Sequence, residues 1–357
     1  MKTEIAIVGG GLSGLALAAR LQDADVDFHL FEARSRLGGR IAVLNTPTGS
    51  VDLGPSWFWP GQPRIASLVN DLGVRAFPQY ATGDVCFEDD RGTVHRGMGF
   101  ASMEGSFRLE GGMESLITGV AARLADDRVH VASRVTDIAQ GGRLLTDRGQ
   151  WCEAKTVVLA LPPRVAAKLR FHPALDKDVV RELQHVPTWM AGHAKFVAVY
   201  DTPFWRTAGL SGDATSRRGP LAEIHDASGA EGAPAALFGF LGVPAARRRG
   251  RDDEIRAAAL QQLARIFGPE AAAPVTTSFM DWACEPETAT ELDADPPIGH
   301  PAYGPLPPTR GLWKGRLHFA STETAPDMGG LMEGALASAE RIFNLVSPRR
   351  QKEFPAS

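Results

Sequence analysis

Cysteine is scarce in this chain. Cys86, Cys152 and Cys284 stand far apart and form no CxxC pair. A disulfide framework and a zinc site are therefore not expected, and the reducing cytoplasm is the default location. Long apolar runs are also missing. No stretch of about eighteen apolar residues occurs, so no segment is expected to span a membrane. After Met1-Lys2-Thr3-Glu4 the apolar stretch ends at glycines too soon for a secretory signal. Charge of one sign is lacking too: the net charge of −4 offers nucleic acid no electrostatic foothold. His172, His185, His225 and His300 show no metal-ligand spacing, so no metal is expected and structural or surface roles are assigned to them. No internal repeat or low-complexity tract is visible. What is present is an ordinary globular composition, 44% hydrophobic and 22% charged over 357 residues, with room for two domains.

The N-terminus carries the sharpest local signal. Ile5-Ala6-Ile7-Val8 is a short, β-branched apolar run that reads as a buried parallel strand. Gly9-Gly10-Gly11-Leu12-Ser13-Gly14 follows, with G-x-G-x-x-G at Gly9, Gly11 and Gly14. Leu15 to Leu21 is rich in helix formers. A second strand is expected at Phe28–Phe31, ending at Glu32. This is the layout of a dinucleotide site. Gly9 makes the tight turn, Gly11 admits the pyrophosphate, and Gly14 lets helix and sheet pack closely. The helix N-terminus offers free N–H groups to phosphate. Glu32, eighteen residues past Gly14, is placed to accept from the adenosine ribose hydroxyls.

Glu32-Ala33-Arg34-Ser35-Arg36-Leu37-Gly38-Gly39-Arg40 then sets three arginines and a Gly-Gly pair behind the second strand. Arginine suits bidentate phosphate contacts, and the glycines allow a close backbone approach. Here the chain resembles the flavin-containing amine oxidase family, which includes monoamine and polyamine oxidases. The resemblance continues in order to about residue 346. It runs through Val51-Asp52-Leu53-Gly54-Pro55-Ser56-Trp57, Leu109-Glu110-Gly111-Gly112-Met113 and Arg134-Val135-Thr136-Asp137-Ile138. It then takes in Thr156–Pro163, Leu317–Thr324 and Gly330–Leu336.

The resemblance implies non-covalently bound FAD. Gly9, Gly11, Ser13 and Gly14 would cradle its phosphates. Glu32, Ala33 and Arg34 would face the adenosine, with the Val135 backbone at adenine. Gly39 and Arg40 would lie near the pyrophosphate, and Pro55 and Ser56 near the flavin. Glu323 would bind the ribityl region, and Leu331 and Met332 would open a helix toward the flavin C2 carbonyl, where a helix N-terminus stabilises negative charge. Covalent attachment is not expected, because Cys284 lies only two residues past Trp282, too early for the family's linking cysteine.

His193–Tyr200 reads as a strand followed by Asp201-Thr202-Pro203-Phe204-Trp205. Alternation places Lys195 on one face with His193, Val197 and Val199. The spacing from Lys195 to Trp205 matches that of the family's lysine, which implies a catalytic residue on the flavin N5 side, partly desolvated and so favoured in its neutral form. The other reading is an edge-strand lysine with its ammonium in water. The two tyrosines that flank the substrate in monoamine oxidases have no counterparts: Leu331 holds one position, and no tyrosine lies between 283 and 302. Trp57, Phe58 and Trp59 are candidate aromatic walls, attractive to cations, or simply core. The expected pocket is lined by Trp57, Trp59, Leu331 and Trp282, the last against the flavin. Only about thirty-five residues separate Asn70–Gly73 from Gly111. Larger relatives have a helical insertion there, so a more open pocket or one closed in a homodimer is expected.

A loop is expected at 226–235, and Arg247-Arg248-Arg249-Gly250-Arg251 reads as the solvated entrance to a helix from about Asp252 to Phe267, apolar along Ile255, Ala259, Leu263 and Ile266. Residues 296–311 are expected to be an ordered loop, and 349–357 a flexible tail. The expected architecture is α/β. A discontinuous Rossmann-type FAD-binding domain takes 1–76, 108–187 and 284–348, and a smaller mixed-sheet (α+β) substrate domain takes 77–107 and 188–283. The expected function is FAD-dependent oxidation of a small amine, with O2 as acceptor and neither nucleic acid nor membrane as partner. A renalase-like oxidase of reduced nicotinamides, a natural-product desaturase and a flavin-bound subunit without turnover are the alternatives.

Overall fold

The apolar run Ile5–Val8 sits at the end of a strand, Lys2–Val8, flanked in parallel by Phe28–Phe31 and by Trp151–Leu159. Strands covered on both faces need apolar residues at every position, which is why the run does not alternate. This computed structural model describes residues 1–295 and 297–347, so the expected tail at 349–357 lies outside the described residues. The first sheet runs Arg170–His172, Val135–Ala139, Arg143–Thr146, Trp151–Leu159, Lys2–Val8, Phe28–Phe31, Val129–His130. Leu317–Phe319 joins it in parallel, beside the end of Trp151–Leu159.

Helix Leu12–Asp23 leaves the first strand through Gly9–Gly11 and buries Leu15, Leu17, Ala18 and Leu21 against the sheet and the final helix, Met332–Val346. Burying each leucine contributes about 1.5–3 kcal/mol. Its approach is set by Gly14, where a Cβ would stand 2.0 Å from the Gly9 carbonyl oxygen. Gly9 itself has φ +112°, a conformation suited to glycine.

The second sheet is mixed and runs Thr276–Asp281, Ala194–Tyr200, Ala235–Leu241, Leu221–Asp226, Leu210–Ser216, Asp84–Glu88, Val94–Arg96. One face packs on helix Asp252–Phe267, whose Ile255, Ala259, Leu263 and Ile266 meet Phe196, Ala198 and Tyr200. The other face sets Val197, Val199 and Phe238 against Val51 and Trp57, so this sheet lies over the segment that follows the dinucleotide turn. Ala194–Tyr200 is an interior strand with all seven residues buried. The solvated edge-strand reading of Lys195 is therefore overturned.

The basic run before the long helix also departs from expectation. Arg248 is buried, pairs with Asp281 at 2.6 and 2.7 Å, and donates to the carbonyls of Gly192 and Val243. One arginine of a solvated-looking cluster thus ties the short helix Ala245–Arg248 to the second sheet. Charge composition does not distinguish it from its neighbours; a carboxylate 33 residues away in the chain does.

Candidate active site

Between the two sheets lies a cavity of about 890 Å3, near the upper end of the range for ligand sites. Its floor is the turn after the first strand, where Gly9, Gly11 and Ser13 line it; Gly14 does not, because it packs against Gly9. Ser13 donates to the Ala320 carbonyl and so ties the turn to the strand end at Phe319. Glu32, almost fully buried, accepts from the amides of Gly10 (2.7 Å) and Arg34 (2.8 Å). Ala33, Arg34 and Val135 line the same end.

The three arginines of the 32–40 stretch divide their work. Arg34 donates to Glu285 and Thr288, closing that end of the cavity. Arg36 folds onto the carbonyls of Leu37, Gly39 and Ile41, and so stiffens its own loop. Arg40, beside Gly39 in the wall, pairs with Glu323 at 2.6 Å. Glu323 is fully buried behind Arg40 and is not part of the wall, and its Oε2 has no hydrogen-bond partner.

At the opposite end Lys195 is buried between the sheets. Its Nζ reaches the carbonyls of Asp52 and Gly54 (3.0 Å each) and Ser56 Oγ (2.7 Å), and stands 3.8 Å from the centre of the Phe238 ring. Three N–H groups meet three acceptors, so the charged form is satisfied. The neutral amine is satisfied as well, because the Ser56 hydroxyl can turn and donate to it. Burial lowers the ammonium to about 7, against the opposing pull of Asp52. Burial likewise raises the Asp52 carboxyl, while Arg108, Lys195 and the Met113 amide (2.8 Å) hold it down.

Pro55, Ser56, Trp57 and Trp59 line this end. Trp57 is buried, donates to Gln79 and packs on His225 and Phe238, whereas Trp59 is 36% exposed. Phe58 turns away into the first core beside Phe107. Trp282 is buried in the wall and donates to the Leu53 carbonyl at 3.1 Å. Leu331 caps the final helix and, with Met332, faces the cavity. The turn before it is held by Thr322, which donates to the Leu331 carbonyl at 2.7 Å.

Among the wall residues that escaped the sequence reading are Met103, Trp189, His193 and Glu223. His193 was assigned only to the face of Lys195. Its imidazole is lowered by burial and by Arg248, and its Nδ1 is buried without a partner. Trp189 packs at a tilt on His300, which meets Tyr303 edge-on, and these residues crowd Gly330 just before Leu331. Isolated aromatics in a loop carry no periodicity, so no sequence signal marks Trp189.

The residues fit FAD. The glycine turn admits no side chain at Gly9 or Gly14, and Glu32 is held at the end of the second strand. The cavity joins that cradle to an apolar chamber under the second sheet, while Ser321 Oγ and Glu323 Oε2 lie beneath it unpartnered. Among the described residues no helix is long and apolar enough to cross a membrane.

Comparison with known proteins agrees. Residues 7–72 match the NAD(P)-binding Rossmann-like domain, and residues 95–342 match the flavin containing amine oxidoreductases. The chain is 25% identical to a probable flavin-containing monoamine oxidase A of Dictyostelium discoideum, over 97% of this chain and 98% of that one. It is 26% identical to amine oxidase [flavin-containing] B of Sus scrofa, over 95% and 85%. Among solved structures, a triple mutant of putrescine oxidase superposes with a TM-score of 0.82 at 23% identity, covering 98% of this chain and 99% of that one. Cyclohexylamine oxidase of Brevibacterium oxydans gives 0.81 at 19% identity over 98% and 99%. These matches do not favour the nicotinamide-oxidase or desaturase alternatives. With the dinucleotide cradle, the enclosed chamber and a family match over well more than half its length, the chain belongs to the flavin-containing amine oxidoreductase family and is an FAD-dependent enzyme of amine oxidation.

Proposed function

We propose that the enzyme removes a hydride from the carbon next to the nitrogen of a small amine, leaving an imine that water hydrolyses. FAD, when bound, supplies the two-electron acceptor; O2 is the proposed final acceptor, giving hydrogen peroxide. One observation carries the reading: a single cavity joins a dinucleotide cradle to a chamber walled by aromatic rings and a buried lysine.

In this reading Gly9, Gly11, Ser13, Glu32, Ala33, Arg34, Gly39, Arg40 and Val135 hold the adenosine and pyrophosphate. Gly14 acts from behind, by letting the helix approach. Glu323 fixes the Arg40 guanidinium by charge and orients it. Pro55, Ser56, Leu331 and Met332 shape the flavin end, and the Met332 amide presents the positive end of a helix. Trp282, Trp57, Trp59 and Leu331 form the pocket and exclude water. Lys195 is the proposed catalytic residue. It takes up and releases a proton at Nζ near neutral pH and anchors the 52–56 wall through three contacts.

The two sheets are proposed as the cores of two domains, one of 1–76, 108–187 and 284–348, the other of 77–107 and 188–283. The strands of each sheet fall inside those ranges. A cytoplasmic location is supported by three widely spaced cysteines, two of them buried. A homodimer is supported by the exposed Met98 and Phe100 on the short loop that leads to Met103 in the cavity wall.

The test is anaerobic mixing of the flavin-loaded protein with a panel of primary and secondary amines. Bleaching of the flavin by at least one amine, followed by peroxide on admitting O2, is the expected result. A flavin that no amine bleaches would remove the proposal.

A further inference from the structure

His193 stands in the cavity wall two residues before Lys195, and sheet register fixes what lies beside it. The Trp282 amide donates to the His193 carbonyl at 3.0 Å, which extends the ladder between Ala194–Tyr200 and Thr276–Asp281 by one pair. Residues directly opposite in an antiparallel ladder share a face, and so do residues two apart on a strand. Trp282, His193 and Lys195 therefore face the chamber together. On the other side Lys195 pairs with Phe240, so the place across from His193 falls to Gly242. Gly242 and Ala222 both line the cavity, and a Cβ on Gly242 would stand 3.1 Å from that of Ala222. The position next to the imidazole thus carries no side chain, which leaves a slot along the ring.

The two ring nitrogens differ. Nδ1 is buried and has no partner, whereas Nε2 is not sealed and makes no hydrogen bond with the described residues. Beside the ring, Arg248 donates to the Gly192 carbonyl at 2.7 Å and pairs with Asp281. Burial first, and then the Arg248 guanidinium, hold the imidazole below its ordinary value. An imidazolium would carry an N–H on both nitrogens, one of them buried with no acceptor and close to a fixed positive charge. The neutral ring avoids this. Of its two tautomers, the one with the proton on Nε2 leaves Nδ1 as a bare acceptor, and a buried acceptor without a donor is tolerated better than a buried N–H without an acceptor. His193 is thereby a poor base and a fixed N–H donor. Neighbouring donors of the chamber are already engaged: Trp282 with Leu53, Trp57 with Gln79 and Lys195 with Ser56.

We propose that His193 is a specificity-determining residue whose Nε2–H donates to an acceptor oxygen carried by the substrate, so that preferred substrates are amines with an ether, hydroxyl or carbonyl oxygen at a fixed distance from the oxidised carbon. Two strand residues separate this donor from Lys195, about 7 Å along the chain, a span within one small molecule. The inference rests on the amine-oxidase reading of the same chamber.

The test uses the flavin-loaded enzyme, n-alkylamines, and ethers in which oxygen replaces one methylene of the same chain. The oxygen is placed beyond the third carbon, where it changes the basicity of the amine little. An ether accepts a hydrogen bond and donates none, so the Glu223 carboxylate is not its partner. Anaerobic stopped-flow bleaching reads the apparent Kd and the limiting rate separately. With oxygen at the right position the ether is expected to bind about 3- to 10-fold more tightly than the alkylamine, the size of one neutral hydrogen bond. Oxygen elsewhere should bring no gain, because the donor is fixed. Each variant is judged on its own ether-to-alkyl ratio of Kd. His193→Leu should bring the ratio to one, and His193→Gln, which keeps an N–H in about the same place, should retain part of the preference. If His193→Leu does not hold flavin, His193→Phe supplies a ring without the donor. No gain at any oxygen position in the wild type would overturn the assignment, as would a gain that survives removal of the N–H. If alkylamines bleach the flavin and ethers gain nothing, the donor fails alone; if no amine bleaches it, both readings fail.

Discussion

Lys195 shows how a buried ammonium is tolerated and what it costs. Its three acceptors come from one short segment, Asp52 to Ser56, so the lysine acts as a clasp between the sheets. An unfolded lysine titrates near about 10.4, whereas burial brings Lys195 to about 7. Between those values the unfolded chain holds the extra proton, so stability rises with pH across that window. The penalty is complete below about 7 and fades toward about 10. Lys195→Met should therefore flatten the pH dependence of thermal unfolding between neutral and alkaline pH relative to the wild type, and slow flavin bleaching by amines. An unchanged slope would show that Lys195 does not titrate there. Gly14 is the second residue whose identity is forced. In Gly14→Ala the new methyl would meet the Gly9 carbonyl at 2.0 Å, so helix and turn must part. Overpacking of this kind costs about 1–3 kcal/mol. The variant should purify with far less flavin per chain, read from its absorbance ratio.

At the scale of elements, buried polar ties join what the apolar cores pack together. Glu333, buried in the first turn of the final helix, accepts from the amides of Arg64 and Ile65, the opening amides of helix Pro63–Leu72. Those amides have no partner inside their own helix, so one helix caps another. Arg248 does the same for the second sheet. It joins the short helix Ala245–Arg248 to Asp281 and to the Gly192 carbonyl, next to His193 of the cavity wall. Arg248→Met should leave Asp281 as an unpaired, mostly buried charge. Breaking such a pair costs about 3–5 kcal/mol, visible as a lower urea midpoint. Arg247→Ala and Arg249→Ala, at exposed neighbours, should change the midpoint by less than about 0.5 kcal/mol of equivalent stability.

For the whole molecule, the decisive feature is that the cavity belongs to neither sheet alone. The glycine turn, Glu32 and Arg40 come from the first, and Lys195, Glu223 and Phe240 from the second. A ligand that touches both must stabilise their union. At a free concentration of about 100 times its Kd, FAD adds about 2.7 kcal/mol to the folded state. Protein stripped of flavin should melt at a lower temperature and be cut faster by protease in the segments that cross between the sheets, near 76–78 and 107–109. Added FAD should restore both. Equal melting curves with and without flavin would mean that the cofactor does not bridge the sheets.

The glycine turn, the strand and helix around it, Glu32 and the order of the matched segments were legible from local sequence, because each depends on residues a few positions apart. The helix Asp252–Phe267 was legible for the same reason: its apolar stripe repeats every turn. The fate of the charged residues was not. Arg34, Arg36, Arg40 and Arg248 look alike in sequence, yet one closes the cavity, one stiffens a loop, one faces the cavity and one is buried. Glu223 and Trp189 fall in the same class. A side chain's charge and shape are written in the chain, but its desolvation and its partners depend on residues scores of positions away, and only the packing of the two sheets brings those together.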